Sequence, residues 1–149
     1  MSSNYSNYNW IDENVAIGDC DSDYSDFDII VNLDCPNNGV SHHSIDMECV
    51  KDKGKHIYRI GCYDSEKEDM ESLIKTVIPE LVSYYVMNNN VKILFHCYAG
   101  ISRSSTLAIS FLCIAKNYPL WFAYKLAKSN RPIINPNRGF MNCLIRNFI

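Results

Sequence analysis

The pattern of this chain predicts an α/β domain: a central, mainly parallel, twisted sheet of about five strands flanked by helices, with residues 1–149 forming one unit. Short apolar runs of strand length alternate with longer segments of helical periodicity, as they do where helices pack on a sheet. Helical segments then accumulate toward the C-terminus. At one junction, "VKILFHCYAGISRSSTLAISFL" (residues 91–112), a strand-like run crosses a glycine-containing loop directly into a second apolar run.

Taken in order, "NVAIGD" (14–19) is a short strand closed by Gly18. "DCDSDYSDFD" (19–28) is an acidic loop or short helix. Its alternating Asp19, Asp21 and Asp23 look like the start of a calcium loop, which needs glycine at its sixth position and glutamate at its twelfth. Tyr24 and Ile30 stand there instead, so a solvated acidic surface is expected. "DIIVNL" (28–33) is a buried strand, and "CPNNG" supplies turn residues. "HIYRIGC" (56–62) is a further strand leading into the polar loop "YDSEKED". From 70 to 87, Leu73, Ile74, Val77, Ile78, Leu81 and Val82 recur at helical spacing, with Pro79 predicting a kink. "VKILF" (91–95) is another buried strand, and "SSTLAISFLCIAK" (104–116) is a helix apolar nearly all round, hence buried. "PLWFAYKLAKSN" (119–130) is a helix with Pro119 at its first turn, and "PNRGFMNCLIRNFI" (136–149) a terminal helix.

Composition narrows the function classes. Hydrophobic residues make up 47% and charged residues 21%, the balance of an ordinary globular protein. With 17 acidic against 14 basic residues, the net charge of −3 excludes the broad basic footprint of a nucleic-acid or anionic-membrane binder. The longest apolar run, "TLAISFLCIA", falls far short of the roughly 20 residues that span a bilayer. Seven cysteines, an odd number without Cys-x-x-Cys spacing, follow a polar N-terminus that lacks the basic and apolar parts of a secretory signal. The expected setting is a reducing compartment, cytosol or nucleus, rather than secretion. Cys20, Cys35, Cys49, Cys113 and Cys143 are each expected to be small buried residues.

The loop after residue 95 carries the chemistry. Backbone N–H groups at a strand-to-helix loop can converge on one point, and the helix N-terminus adds positive partial charge there. Gly100 permits the backbone conformation such an anion cradle needs, and Arg103 offers a fork that matches two phosphate oxygens. Cys97 opens the cradle, where the field favours the thiolate nucleophile. His96 is placed to fix the loop, and Ser104 to donate to the sulfur when it leaves. No metal and no cofactor is required by this scheme. At average residue frequencies, chance would give His-Cys-x-x-Gly-x-x-Arg-Ser in such a chain well below ~1 time in 10,000.

"HCYAGISRSS" resembles the catalytic loop of cysteine-dependent protein phosphatases, and "AGISRS" resembles the dual-specificity branch most closely. "WIDENVAIG", "DIIVNL" and "NRPIINPNRGFM" resemble that branch's opening, second strand and closing segment, so the likeness covers almost the whole chain. It is similar to the small atypical members that have a catalytic domain alone. The resemblance implies Cys97 as nucleophile and Arg103 as ligand of the phosphate and transition state. Backbone N–H groups of Tyr98, Ala99, Gly100, Ile101, Ser102 and Arg103 would hold the phosphate oxygens, and Ser104 would assist the second step. Asn137 matches the family's Pro-Asn asparagine, which braces the loop, although a plain helix cap explains it as well. The general acid would be Asp64, directly past a strand, rather than Asp69, which suits a solvated loop carboxylate. Cys143-Leu144 departs from the Gln-Leu common in the family's last helix.

The implied substrates are phosphorylated proteins, with no nucleic-acid or membrane partner. The five residues between Cys97 and Arg103 include no lysine, unlike phosphoinositide-directed relatives. Ser104-Ser105 and Asp64 argue against an RNA 5′-triphosphatase. A phosphoprotein-binding pseudophosphatase and a rhodanese-like sulfur carrier are the readings from other classes, and the retained nucleophile, arginine and aspartate stand against them.

Overall fold

The computed structural model describes residues 7–50 and 54–149; residues 1–6 of the polar N-terminal stretch lie outside the described residues. The strands are β1 (Tyr8–Trp10), β2 (Val15–Gly18), β3 (Ile29–Asn32), β4 (Ile45–Val50), β5 (Lys55–Ile60) and β6 (Ile93–His96). The helices are α1 (Met70–Met87), α2 (Arg103–Ala115), α3 (Leu120–Asn130) and α4 (Arg138–Phe148). The strands form one sheet in the order β1-β2-β6-β3-β5-β4. The four inner strands run parallel, and β1 and β4 add antiparallel edges.

Alternation along the inner strands decides how the sheet is covered. Val15, Ile17, Ile29, Val31, Tyr58, Ile60, Ile93 and Phe95 face one core, to which all four helices contribute. The residues between them, Ala16, Ile30, Ile57 and Leu94, face the other side with Phe27. Tyr8, Trp10, Tyr24 and Val50 cover that side. Residues 19–28 thus form turns that roof the sheet, not a helix. At the centre of the helical layer, every residue of α2 from Arg103 to Cys113 is buried. Its apolar and small surface meets the sheet, α1, α3 and α4 together.

Several expectations need correction. The sheet has six strands, because β1 and β4 were not read from the sequence. β1 is three residues long. β4 does alternate (Ile45, Met47, Cys49), but at an edge with almost no burial. Cys49 is therefore exposed, as is Cys20 in the turn after β2, whereas Cys35, Cys113 and Cys143 are buried. Pro79 lies inside the continuous helix α1, on its exposed side, where the carbonyl it leaves without a donor can be hydrated. Asp19 is buried rather than solvated, while Asp21 and Asp23 are exposed. No helix among the described residues is long and apolar enough to cross a membrane.

Candidate active site

Parallel strands end on one edge of the sheet, and β6 lies between β2 and β3. The turns after β2, β3 and β5 therefore gather around the loop that joins β6 to α2, the usual place for a ligand in such sheets. The register fixes the neighbours: His96 aligns with Gly18 on one side and with Asn32 on the other.

Five successive carbonyls of this loop are held by donors outside it. Tyr98 accepts from the Cys20 N–H at 3.0 Å, and Ile101 accepts from the Asn135 N–H at 2.8 Å. Arg131 donates through Nη2 to Ala99 at 3.3 Å and through Nε to Gly100 at 2.9 Å. The Ser102 carbonyl accepts from the Ser105 and Thr106 hydroxyls at 2.9 and 2.7 Å. In a planar trans peptide the following N–H points opposite the carbonyl. The N–H groups of residues 99–103 thus face away from these anchors, and none from 99 to 102 donates to a backbone acceptor among the described residues. Gly100 has φ +68°, and a Cβ there would lie 2.6 Å from both Arg131 Nη2 and the Gly18 carbonyl oxygen. Only glycine fits that turn.

Cys97 begins the loop, 3% exposed, with Sγ 3.2 Å from the Ser104 hydroxyl. His96 is buried, and its Nε2 shares a 2.6 Å hydrogen bond with the Tyr24 hydroxyl. Burial lowers the His96 pKa to about 4, so the ring is neutral near pH 7. Arg103 is divided in its bonding. Nη1 donates to the carbonyls of Leu33, Cys35 and Cys62 at 2.9, 3.2 and 2.9 Å. Nε, also buried, has no partner among the described residues. Two turns at the sheet's edge, after β3 and after β5, thus orient the guanidinium through a single nitrogen.

Asn137 both caps a helix and braces the loop. Its side-chain oxygen accepts from the Phe140 N–H at 2.9 Å, and its own N–H donates to the Ser102 hydroxyl at 2.9 Å. Its Nδ2 donates to Asp64 Oδ1 at 2.9 Å, which joins the exposed Asp64 to the cradle's edge. Asp69 is not a free loop carboxylate. It caps α1, accepting from the Ser72 N–H at 3.1 Å and from the Ser72 hydroxyl. Those bonds, the hydroxyl's foremost, hold its pKa below the ordinary value.

Two contributors were not foreseen from the sequence. Arg131, 1% exposed, bridges the loop carbonyls to the Asn9 side chain at 2.7 Å. Its place in "NRPIINPN", inside the closing segment, was the available signal. Tyr24 was hidden within an acidic stretch whose aromatic residues reach back over the sheet.

At the sheet's edge the structure thus brings together a cysteine and serine in sulfur–hydroxyl contact, a loop anchored by its carbonyls and an arginine oriented by three carbonyls. The catalytic-domain model of the dual specificity phosphatases matches residues 10–148, and the chain belongs to that family. A relative from Invertebrate iridescent virus 6, named as a tyrosine phosphatase, is 41% identical over 85 residues, 57% of this chain and 58% of its own. Dual specificity protein phosphatase 4 of Gallus gallus is 33% identical over 116 residues, 78% of this chain but 27% of that protein. The chain thus spans about a quarter to three fifths of these relatives' lengths. Human DUSP28 shares the fold, with a TM-score of 0.77 and 17% identity, covering 99% of this chain and 97% of that one. PTPMT1 in complex with PI(5)P gives 0.73 at 15% identity over 95% of this chain and 94% of its own.

Proposed function

We propose that the chain hydrolyses phosphotyrosine and phosphoserine or phosphothreonine in proteins through a phosphocysteine intermediate, without a metal ion. The observation that carries this reading is the divided bonding of Arg103, clamped at Nη1 while its buried Nε has no partner among the described residues.

In the first step the Cys97 thiolate attacks phosphorus. The S–P bond forms and the P–O bond breaks, while Asp64 gives its proton to the leaving oxygen. The cradle N–H groups and Arg103 carry the charge of the three non-bridging oxygens, the role a metal ion plays in other phosphoryl-transfer sites. In the second step water attacks phosphorus, Asp64 takes its proton, and the S–P bond breaks as the Ser104 hydroxyl, 3.2 Å from Sγ, stabilises the departing thiolate. Phosphoproteins suit the site better than phosphoinositides, because no basic side chain stands between Cys97 and Arg103 to meet a multiply charged ring.

The decisive experiment assays phosphopeptides, phosphoinositides and triphosphorylated RNA with no added metal, using the native protein and Cys97→Ser. Native protein is expected to turn over the peptides fastest and to tolerate chelators. Cys97→Ser should lose turnover and still bind a phosphopeptide. Substantial activity in the serine variant, or a strict need for added metal, overturns the mechanism; faster turnover of lipid or RNA overturns the substrate class.

A further inference from the structure

A second cluster of ligand-type side chains lies outside the cradle, where the segment before β4 meets the loop between β5 and α1. His42, His43 and Glu68 each present one ligand atom, and these atoms lie within 4.8 Å of one another. Glu68 has a side chain only 4% exposed, with His42 Nε2 at 2.8 and 2.9 Å from its two oxygens. One of those oxygens also accepts from the Tyr63 N–H at 2.7 Å.

The backbone brings the two imidazoles together. Successive side chains of an extended segment point to opposite sides. His43 instead has φ +68°, the left-handed region that a side chain occupies only at a cost. The two rings lie with centroids 3.7 Å apart, and the His42 ring stacks on Tyr63 at 4.2 Å. The His43 N–H donates to the Gly61 carbonyl at 2.9 Å, which fastens the turn to the end of β5. A simple ion pair with Glu68 requires only one histidine. The second ring and the strained turn that directs it there are what a ligand set needs.

We propose that His42, His43 and Glu68 bind a divalent transition-metal ion of the zinc type. Two imidazoles and a carboxylate favour zinc over the oxygen-seeking calcium and magnesium. Tetrahedral zinc with bonds near ~2.1 Å sets its ligand atoms about 3.4 Å apart. The His42–Glu68 pair at 2.8 Å need open only slightly to admit the ion, which takes the place of the hydrogen they share. A cavity of about 350 Å³, lined by His42, His43, Tyr63, Lys67, Glu68 and Asp69 among others, leaves room for water as the remaining ligand. The bound ion would fasten the segment around residues 41–44 to the loop carrying Asp64. The site itself does not depend on the catalytic reading.

Cobalt(II) is the probe, titrated into the Cys97→Ser protein so that the cradle sulfur cannot compete. The expected result is one cobalt per chain, with visible ligand-field bands, no thiolate-to-metal charge-transfer band, and displacement by zinc. His43→Asn keeps a residue that tolerates the left-handed turn, and it should weaken binding by at least about tenfold. Glu68→Gln should weaken it similarly while circular dichroism remains native. Absence of stoichiometric binding overturns the proposal. So does a thiolate band, which would place the metal on Cys20 or Cys49, or cobalt affinity unchanged in His43→Asn. Turnover enters none of these readouts, so the metal site and the phosphatase mechanism can fail separately.

Discussion

The cradle at residues 97–103 and the loop at 62–69 share one chemistry in the proposed mechanism but are held very differently. In the cradle, five successive carbonyls are tied to outside donors and Arg103 is clamped by three carbonyls. Asp64, in the other loop, is exposed and accepts a hydrogen bond from the Asn137 side chain. Gly139 in α4 supports that loop closely, since a Cβ there would lie 2.0 Å from the Glu66 carbonyl oxygen. The contrast fits the two tasks proposed for these loops. Phosphate geometry is the same in every substrate, so its donors can be fixed in advance without loss. A proton donor must meet leaving oxygens of differing depth, so a loosely tied carboxylate serves better.

Substitutions in the two regions should therefore fail in different ways. Arg103→Lys is expected to have the largest effect, several orders of magnitude in turnover. A lysine ammonium cannot reproduce a planar group that engages three carbonyls with one nitrogen and, in the proposed mechanism, an anion with another. Kinetics on any phosphate ester checks this, and a loss below about tenfold, or ~1.4 kcal/mol of barrier, would show that the fork is dispensable. Asp64→Asn should instead discriminate among substrates. Phosphopeptides, with basic leaving oxygens, should slow by roughly 10²–10⁴-fold, and an activated aryl phosphate far less. An equal loss on both substrates would mean that the variant has disturbed the cradle, not removed a proton donor.

His96 allows a subtler test of how rigid the cradle is. Its pKa of about 4 lies below the ordinary value near 6.5, so between those limits the unfolded chain binds a proton that the folded protein refuses. The stability from keeping His96 neutral is complete above about pH 6.5 and is lost as the pH falls toward 4. Over that window the loss is roughly 3 kcal/mol, read from urea unfolding at several pH values. His96→Asn should flatten that slope, and an unchanged slope would show that the proton is taken up elsewhere.

Much of this was legible in the chain because the inner strands and α2 are continuous apolar runs and the loop packs its chemistry into a few consecutive residues. Cys97, Arg103 and Ser104 are sequence neighbours, so their grouping needs no tertiary information. Arg131 and Tyr24 act across long stretches of chain, 31 residues to Gly100 and 72 to His96. Only the folded sheet edge brings such partners together. β4 was missed for another reason: its alternation is regular, but an exposed edge imposes little hydrophobic selection. The sequence does not decide between two roles for Asn137 because the two use different atoms: its side-chain oxygen caps α4 while its backbone and side-chain N–H groups reach Ser102 and Asp64.

The smallest expected effect is at Asp69, five residues beyond Asp64 and the other carboxylate considered as the proton donor. Its two oxygens are engaged by the Ser72 hydroxyl and N–H, and its pKa is lowered, so near pH 7 it holds no proton to give. Asparagine caps helices about as well as aspartate. Asp69→Asn should therefore alter neither stability nor turnover by much, on phosphopeptide or aryl phosphate. Asp69→Ala removes the cap and should lower stability by about 1 kcal/mol, seen as a lower melting temperature. The stability that arises from its lowered pKa is present above the ordinary carboxylate range and lost as pH falls through the lower folded value, so the native and alanine proteins should converge in acid. The ratio of peptide to aryl phosphate turnover should remain native in both variants. A leaving-group-dependent defect at Asp69 with none at Asp64 would move the proton donor to the start of α1. The cradle would stand as described, and the contrast between a fixed phosphate site and a loosely tied acid would fail, because Asp69 is held by two hydrogen bonds to a helix.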